Sequence, residues 1–436
     1  MNGIRLPAFL KHRPEARAFS SNVAWLLGDK LTRFLVAIFV SAWVARYLGP
    51  ERYGVLAYAI AFISMFQAVS LLGLDNLIVR DIAASPAQAG RVLGTALRLR
   101  LIAAGISYLA LGAWIVLFQR EDMTVSVVVL LAGLAILFQV SDVIDLWFQS
   151  RIQSRRTVVA KISSYLATAV FKVLLIQLGA SLPAFAAANA LETGLAAIAL
   201  VIAYAGYRTE RRWEWDGALA RALLAQSWPL LLSGLSILLY MRVSIVFLRE
   251  SAGTAEVGFY GVAATLSEMW YFIPMALGSS IAPIVSRQRA AGSDAHRRTL
   301  LKAFAGMWAL SLSVVVVNIL GARLFVGLLY GPQYAASAPL LALHALTFIP
   351  VCLGVMQSVW LINEGRSRLA LHQALSGALT ALVLNLILTP RYGAYGAAIA
   401  TVGAQFVQAF LVNALLAPDL FRLQCGSLRI LKTLRS

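Results

Sequence analysis

Three charged residues lie close together in an otherwise apolar stretch near the start of the chain. The stretch AWLLGDKLTRFLVAIFV, residues 24–40, carries Asp29, Lys30 and Arg33. On a helix, Asp29 and Arg33 share one face and can form an ion pair, whereas Lys30 projects about 100° away from Asp29. Arginine and lysine side chains are suited to bind phosphate, because arginine offers a bidentate fork and lysine a point charge. What these residues do depends on the solvent around them.

The composition indicates a membrane protein. Of the 436 residues, 60% are hydrophobic and only 13% are charged, and the mean hydropathy is +0.78, whereas about 25% of the residues in a soluble protein are charged. Apolar stretches of about twenty residues recur along the chain, which is typical of transmembrane helices. The sequence therefore predicts an all-α polytopic membrane protein with about twelve spans. The predicted spans cover residues 21–47, 54–79, 98–118, 124–148, 157–178, 182–206, 222–248, 257–285, 299–320, 338–361, 369–388 and 394–417.

The basic residues are distributed unevenly between the loops. If alternate loops face opposite sides, 27 of the 37 Lys and Arg residues fall on the side of the N-terminus and six on the other. With residues near the span ends counted to the loops, four remain inside the spans: Lys30, Arg33, Lys172 and Arg242. Because positive loops stay in the cytoplasm, both termini are predicted to be cytoplasmic. The net charge of +18 is thereby explained by membrane orientation rather than by nucleic-acid binding.

Several other classes of function find no support in the sequence. The first twenty residues are too polar for a removable signal peptide. Cys352 and Cys425, together with four scattered histidines, predict neither a disulfide framework nor a metal site. No Gly-rich phosphate loop is present, so ATP is not expected as a direct energy source. No cofactor is predicted.

The polar segment 207–220 divides the spans into two sets of six. Transporters are often built from two such halves with the substrate site between them. The predicted organisation is therefore two six-helix bundles around a central cavity. Its segments are a cytoplasmic N-terminal segment (1–20), an N-terminal bundle (21–206), a cytoplasmic linker (207–221), a C-terminal bundle (222–417) and a basic cytoplasmic tail (418–436).

Charges inside the spans are candidates for a substrate path. A charge at the bilayer centre costs roughly 2.5–3.5 kcal/mol on insertion scales, so such residues are expected to face protein or a water-filled cavity. We interpret Lys30, Arg33 and Arg242 as cavity residues, and Asp29, Asp75 and Glu268 as counter-ions or coupling residues. Glu268 can either titrate or serve as a fixed counter-ion to Lys30, and the sequence leaves both roles open. These charges balance, so they do not by themselves determine the sign of the substrate's charge.

Other charges near the spans have simpler interpretations. Lys172, in FKVLLIQLG, is expected to extend outward to the membrane surface. Asp142 and Asp145 approach the cytoplasmic interface, where Arg151 is expected to pair with them.

Six motifs, in order, resemble the Wzx-type oligosaccharide flippases, within the larger group that includes MATE exporters and the lipid II flippase MurJ. They are VARYLGPERYGVLAYAIAF (44–62), LWFQSRIQSRRTVVAKISSYL (146–166), LLYMRVSIVFL (238–248), LSEMWYFIPMALGSSIAPIVS (266–286), LLYGPQYAASAPLL (328–341) and LTPRYGAYGAAIATVGAQF (388–406). The third resembles a family pattern that ends YMRID, with Arg242 in place. Ser244 stands where that pattern has Asp, so Arg242 is expected to lack a nearby acidic partner and to be freer to meet a ligand.

The resemblance implies a function. It implies a flippase of the bacterial inner membrane that works as a monomer by alternating access. The substrate would be an oligosaccharide linked to undecaprenyl diphosphate, destined for O-antigen or exopolysaccharide, with Lys30, Arg33 and Arg242 receiving the diphosphate. Membrane lipids and a polysaccharide polymerase complex are the implied partners, and no enzymatic activity is implied.

Two rival functions remain to be weighed. A MATE-like, ion-coupled exporter of small cationic compounds shares the fold, although cations in spans 1 and 7 would repel its substrate. A membrane polymerase or ligase would need a long outer loop carrying catalytic residues, and the outer loops here are short. The glycan and the coupling ion are left open by the sequence.

Overall fold

The computed structural model describes residues 14–119, 122–207, 212–291 and 293–433. Within these ranges all regular structure is helical, which confirms the predicted all-α class. The helices of the N-terminal half are α1 (Pro14–Leu71), α2 (Asp75–Ala84), α3 (Ala89–Phe118), α4 (Met123–Gly133), α5 (Ala135–Phe138), α6 (Asp142–Ser150), α7 (Ser154–Gln177) and α8 (Leu182–Ala205). Those of the C-terminal half are α9 (Gly217–Ala252), α10 (Thr254–Glu268), α11 (Phe272–Ala291), α12 (Ser293–Leu329), α13 (Ser337–His344), α14 (Phe348–Asn363), α15 (Ser367–Phe406), α16 (Val412–Leu416) and α17 (Pro418–Thr433).

Ten helical segments in the described residues are long and apolar enough to cross a membrane, fewer than the twelve spans predicted. The difference lies in two segments, Leu35–Ala84 with 50 residues and Arg368–Leu416 with 49. Each contains a glycine with non-helical backbone angles: Gly49 at φ 73°, ψ 169° and Gly393 at φ 54°, ψ −132°. Only glycine adopts such angles without strain. Both glycines lie where the sequence predicts the boundary between two spans.

The chain forms two compact units. Of the described residues, those within Met1–Val40 and Val69–Trp228 form unit 1, and those within Ser41–Ala68 and Pro229–Ser436 form unit 2. Residues 41–68 thus belong with the C-terminal half, whereas the sequence grouped them with the N-terminal bundle.

The core of unit 1 includes large side chains from three helices. Ile78 of α2, Leu93 of α3, and Trp147 and Phe148 of α6 are at most 1% exposed. Trp147 makes edge-on contacts with Tyr204 and Tyr207, which lie at the end of α8 and just beyond it. Together these contacts set the position of α6, whose first turn carries Asp142 and Asp145.

Unit 2 contains very close contacts between residues 41–68 and its other helices. Gly54 of α1 faces Thr254, and Gly258 of α10 faces the Pro50 backbone, so closely that a methyl group on either glycine would overlap a backbone oxygen. In the same region the Tyr334 hydroxyl donates a 2.9 Å hydrogen bond to the Ala45 carbonyl. Burial raises the pKa of Tyr334, so this hydroxyl keeps its proton.

Three membrane-length segments change from α-helix to a single 3₁₀ turn and back near their middle. The turns are Gln139–Ser141 between α5 and α6, Met269–Tyr271 between α10 and α11, and Ala345–Thr347 between α13 and α14. Charged or polar residues lie at each turn, including Asp142, Glu268 and His344. A 3₁₀ turn inside a long helix often marks a functional hinge.

Candidate functional site

Unit 1 holds an acidic residue flanked by two cations. One carboxylate oxygen of Glu192, on α8, is 3.8 Å from a guanidinium nitrogen of Arg33 on α1. Its other oxygen is 3.7 Å from the ammonium nitrogen of Lys172 on α7. The side chains of Arg33, Glu192 and Lys172 are 30%, 25% and 17% exposed. Three different helices therefore supply one cluster of partly exposed charges.

Neighbouring polar groups fix the two cations. Lys172 donates a 2.8 Å hydrogen bond to the side-chain oxygen of Asn189, one turn before Glu192 on α8. The Arg33 guanidinium lies over the ring of Tyr165, 5.0 Å from its centre, and the Tyr165 hydroxyl donates to the Arg33 carbonyl at 3.1 Å. Lys172 therefore points into unit 1, and the expectation that it extends to the membrane surface was wrong.

A second charged group in unit 1 has the opposite arrangement, with one cation held by two acids. The Lys161 ammonium lies 2.8 Å from Asp142 and 2.6 Å from Asp145. Arg151, which the sequence predicts as their partner, instead lies over the Trp147 ring at 5.1 Å. Lys161 reaches the acids because α7 packs against α6, to which a short turn connects it.

These two charged groups share a pocket of about 160 Å³. Arg33 and Glu192 of the first group line it, together with Asp142 and Lys161 of the second. Polar and aromatic groups complete the wall: Phe138, Gln139, Ser141 and Thr193. Within the described residues the buried side-chain oxygen of Gln139 has no hydrogen-bond partner. The pocket thus combines charges of both signs with an amide, hydroxyls and an aromatic ring.

Asp75, predicted as a counter-ion, pairs with Arg100 on the neighbouring helix α3. The Arg100 side chain is fully buried, and its Nε and Nη1 atoms have no partner in the described part of the chain. Arg100 is one of the 27 basic residues counted on the side of the N-terminus, at the start of a predicted span, and the structure buries it in unit 1. Asp75 therefore neutralises a buried arginine of the core.

In unit 2, Arg242 of α9 forms a bidentate ion pair with Glu268 at the end of α10. Its two terminal nitrogens donate to the two carboxylate oxygens at 3.1 Å and 2.8 Å. This arrangement is the strongest geometry that an arginine and a carboxylate can adopt. The expectation that Ser244 leaves Arg242 without a nearby acidic partner was therefore wrong, because the partner comes from another helix.

Ser244 itself belongs to a buried hydroxyl network. Its hydroxyl lies 2.7 Å from that of Thr401, which lies 2.9 Å from that of Tyr260. Two further buried pairs lie beside the 3₁₀ turns, Ser267 with His344 at 2.6 Å and Tyr271 with Thr347 at 2.7 Å. These hydroxyl and imidazole groups of unit 2 are thus paired with each other.

A second pocket, of about 200 Å³, lies in unit 2 beside this network. Its wall includes Tyr240, Met241, Tyr271 and Gln405, with none of the charged residues of unit 2. Its chemistry is thus mainly aromatic and apolar, unlike that of the pocket in unit 1.

The outcome for the predicted site residues is mixed. The side chains of Asp29 and Lys30 lie outside the described part of the chain. Arg33 lines the pocket of unit 1, and Arg242 and Glu268 pair within unit 2. Glu192 was missed, although a single acid in the apolar stretch ALETGLAAIALVIAYA was a visible signal. In the described residues no group of three or more His, Cys, Asp or Glu side chains is placed to hold a metal ion.

A family model described as polysaccharide biosynthesis protein matches residues 43–339, more than half of the chain. The chain belongs to this family. The match covers four of the six motifs completely and extends into a fifth, and it supports the resemblance to the Wzx-type flippases of the MOP superfamily. No curated protein has a significantly similar sequence.

Solved structures of MOP transporters share the fold. A multidrug resistance MATE family transporter in an inward-facing conformation matches with a TM-score of 0.71 at 15% identity, covering 92% of this chain and 96% of that one. The lipid II flippase MurJ, in an inward closed conformation, has a TM-score of 0.71 at 13% identity, with coverage of 94% and 92%. A MOP superfamily transporter from Pyrococcus furiosus has a TM-score of 0.66 at 18% identity, with coverage of 97% and 100%. The protein is thus a multi-pass membrane protein with a transporter fold.

Proposed function

We propose that this protein is a flippase for an oligosaccharide linked to undecaprenyl diphosphate. It moves this substrate from the cytoplasmic to the periplasmic leaflet of the bacterial inner membrane by alternating access, for the synthesis of O-antigen or exopolysaccharide. The observation that carries the proposal is the match of residues 43–339 to a family of polysaccharide biosynthesis proteins. Its partners are the lipid-linked substrate, membrane lipids and a polysaccharide polymerase, and it acts as a monomer without enzymatic activity.

The chemistry of the pocket in unit 1 supports this choice. Arg33 supplies a guanidinium for phosphate, and Gln139, Ser141 and Thr193 supply hydrogen-bonding groups for sugar hydroxyls. Lys30 and Arg242 are proposed as further residues of the substrate path, with Asp29, Asp75 and Glu268 as counter-ions.

The proposed topology has twelve spans with both termini in the cytoplasm. It counts the segments broken at Gly49 and Gly393 as two spans each, since about 50 helical residues would extend roughly 75 Å, more than twice the thickness of the hydrocarbon core. The excess of basic residues in alternate loops gives the orientation.

The test is the distribution of the lipid-linked oligosaccharide between the leaflets, in cells that lack the protein and in cells that express variants. We expect the lipid to accumulate on the cytoplasmic face, and the native chain to restore its export. Lys30→Ala, Arg33→Ala and Arg242→Ala are expected to restore it poorly. Arg52→Ala, which removes an exposed arginine, should restore it fully and serves as the control.

A normal distribution in cells that lack the protein would contradict the flippase. Export of small cationic compounds would then be the function to examine, through the efflux of a cationic dye. If all three charge variants restored export fully, the proposed flippase function would be retained, but these residues would not belong to the substrate path.

A further inference from the structure

The pocket of about 200 Å³ in unit 2 has no charged side chain on the wall that the structure describes. Two aromatic rings line it, those of Tyr240 and Tyr271, which are 8% and 7% exposed. Gln405, Gln408 and Ser358 add two amides and a hydroxyl, and apolar side chains form most of the rest. Such a wall suits a neutral ligand that has both an apolar face and hydrogen-bonding groups.

Gln405 carries the observation that points to a ligand. This residue is only 3% exposed, and in the described part of the chain its Oε1 atom has no hydrogen-bond partner. A buried acceptor without a donor costs free energy, because it has lost its hydrogen bonds to water. An N–H or O–H group of a ligand in the pocket supplies the missing donor.

The neighbouring hydroxyls fix the orientation of this amide. Thr347 donates its proton to the His344 carbonyl at 2.7 Å, so the Tyr271 hydroxyl must donate to Thr347, 2.7 Å away. The Tyr271 oxygen can then only accept, and the Gln405 side chain interacts with it. The amide nitrogen of Gln405 therefore faces Tyr271, and Oε1 is the end of the amide left for a ligand.

Irregular helical turns place the polar groups of the pocket. Tyr271 ends the 3₁₀ turn Met269–Tyr271. Gln408 lies in a π-helical turn, Val407–Leu411, and Gln405 comes two residues before it. Both kinds of turn inside a long helix often mark functional positions.

We propose that this pocket binds one N-acetylated sugar residue of the lipid-linked oligosaccharide. The acetamido N–H donates to Oε1 of Gln405, and the sugar ring lies against the ring of Tyr240. The acetyl methyl group packs among Met275, Val351 and Val355, which line the same pocket. This inference rests on the proposed function, because the sugar belongs to the substrate named there. It adds a class of sugar, which the sequence left open, and an uncharged binding site in unit 2.

The size and chemistry of the pocket favour this ligand over the other parts of the substrate. A cavity of about 150 Å³ holds benzene, so one of about 200 Å³ admits a single substituted ring but not a whole oligosaccharide. A polyprenyl chain would cover Oε1 of Gln405 without giving it a donor, and the cost of the buried acceptor would remain. A phosphate group would find no cation on the described wall. A plain sugar hydroxyl would donate to Gln405, but only the acetyl group adds a methyl for the apolar side chains.

The experiment measures binding to the purified full-length protein in a detergent without a sugar head group. The probes are farnesyl diphosphate linked to N-acetylglucosamine, N-acetylgalactosamine, glucose or galactose, and farnesyl diphosphate alone. We expect the better-bound of the two acetamido probes to bind about tenfold more tightly than its parent hexose probe, because the acetyl methyl is buried.

Gln405→Met keeps the size of the side chain and removes the acceptor. We expect it to weaken binding of the acetamido probe about tenfold, whereas the affinity for farnesyl diphosphate should stay within about twofold. Tyr240→Leu is expected to weaken both sugar probes by about the same factor, and Tyr240→Phe, which keeps the ring, should bind within about twofold of the native protein. The unfolding temperature of each variant reports whether it is folded. Should Tyr240→Leu not fold, Gln405→Met still decides.

Gln373→Met is the matched control for Gln405→Met. Gln373 is also a buried glutamine of α15 whose Oε1 has no partner among the described residues, but it does not line the pocket. Its replacement should leave the affinity for every probe within about twofold of the native value.

Four results would overturn the inference: no binding of the sugar probes by the native protein, equal binding of acetamido sugars and their parent hexoses, native affinity in Gln405→Met, or an equal loss in Gln373→Met. An equal loss for farnesyl diphosphate in Gln405→Met would also overturn it and assign the pocket to the lipid carrier. The flippase has a separate test in the leaflet distribution. Cells that need the protein for export, together with equal binding of both classes of sugar, would remove only this inference.

Discussion

The two units treat their intramembrane charges differently. In unit 1, Glu192 faces two cations at 3.7 Å and 3.8 Å beside an open pocket. In unit 2, Arg242 and Glu268 form a bidentate pair at 3.1 Å and 2.8 Å. The hydroxyls around that pair are bonded to one another. Polar groups that satisfy each other gain little from a ligand, whereas long ion pairs can be exchanged for ligand contacts.

This difference suggests a division of roles. We propose that the charges of unit 1 receive an anion, and that the Arg242–Glu268 pair of unit 2, a further part of the proposed substrate path, also stabilises its own unit. Close backbone contacts at Gly54 and Gly258 agree with a tightly packed unit 2. The variants below test this division, from the largest expected effect to the smallest.

Gly258→Ala is expected to have the largest effect. Its methyl group would overlap the Pro50 carbonyl oxygen, and backbone on both sides leaves no flexible side chain that can move away. We expect a loss of about 3 kcal/mol or more in the free energy of unfolding, because overpacking at a rigid contact forces the helices apart. The measurement is the yield of monodisperse protein in detergent and its unfolding temperature.

Gly306→Ala is the control for this variant. Gly306 lies in α12 with nothing within 4 Å of an added Cβ, so alanine should be neutral or stabilise by up to about 1 kcal/mol. Equal stability of Gly258→Ala and Gly306→Ala would contradict the tight packing assigned to unit 2.

Glu268→Gln is expected to destabilise the protein more than Glu192→Gln does. It removes the partner of Arg242, whose side chain is only 29% exposed, so we expect a loss of about 2 kcal/mol, below the range for fully buried pairs. Glu192→Gln loses two long contacts and should change stability by about 0.5 kcal/mol or less. Thermal unfolding of the two purified variants, side by side, measures the difference. A larger loss of stability in Glu192→Gln than in Glu268→Gln would contradict the difference proposed between the two units.

Local features of the fold could be predicted from the sequence, because the lengths of the apolar stretches and the charges of the loops can be read from neighbouring residues. The helical class is confirmed, and the breaks at Gly49 and Gly393 fall between predicted spans. What remained hidden was the packing partner of each helix. Residues 41–68 belong to unit 2 because of contacts between distant parts of the sequence. One example is the hydrogen bond between Tyr334 and Ala45, two residues that are 289 positions apart.

The candidate site was predictable only as a set of charges without partners. Arg242 and Arg33 were recognised because a cation inside an apolar span is unusual. Their partners, Glu268 and Glu192, lie on other helices, so spacing along the chain gives no information about the pairs. The absence of Asp at position 244 was misleading for the same reason. The motif covers residues of one helix only, whereas the acidic partner of Arg242 lies on another helix.

Ser244→Ala has the smallest expected effect and tests whether the hydroxyls of unit 2 are structural. Ser244 is fully buried, and its hydroxyl bonds to Thr401, so its removal should cost about 1 kcal/mol of stability. Ser313→Ala, at an exposed serine that bonds within its own helix, should cost close to nothing. Export of the lipid-linked oligosaccharide should change less than about twofold in both variants. The Ser244 hydroxyl is hydrogen-bonded to the buried hydroxyl of Thr401, so we expect no contact with the substrate. A loss of export in Ser244→Ala with unchanged stability would mean that this network contacts the substrate, and the division of roles between the units would fail.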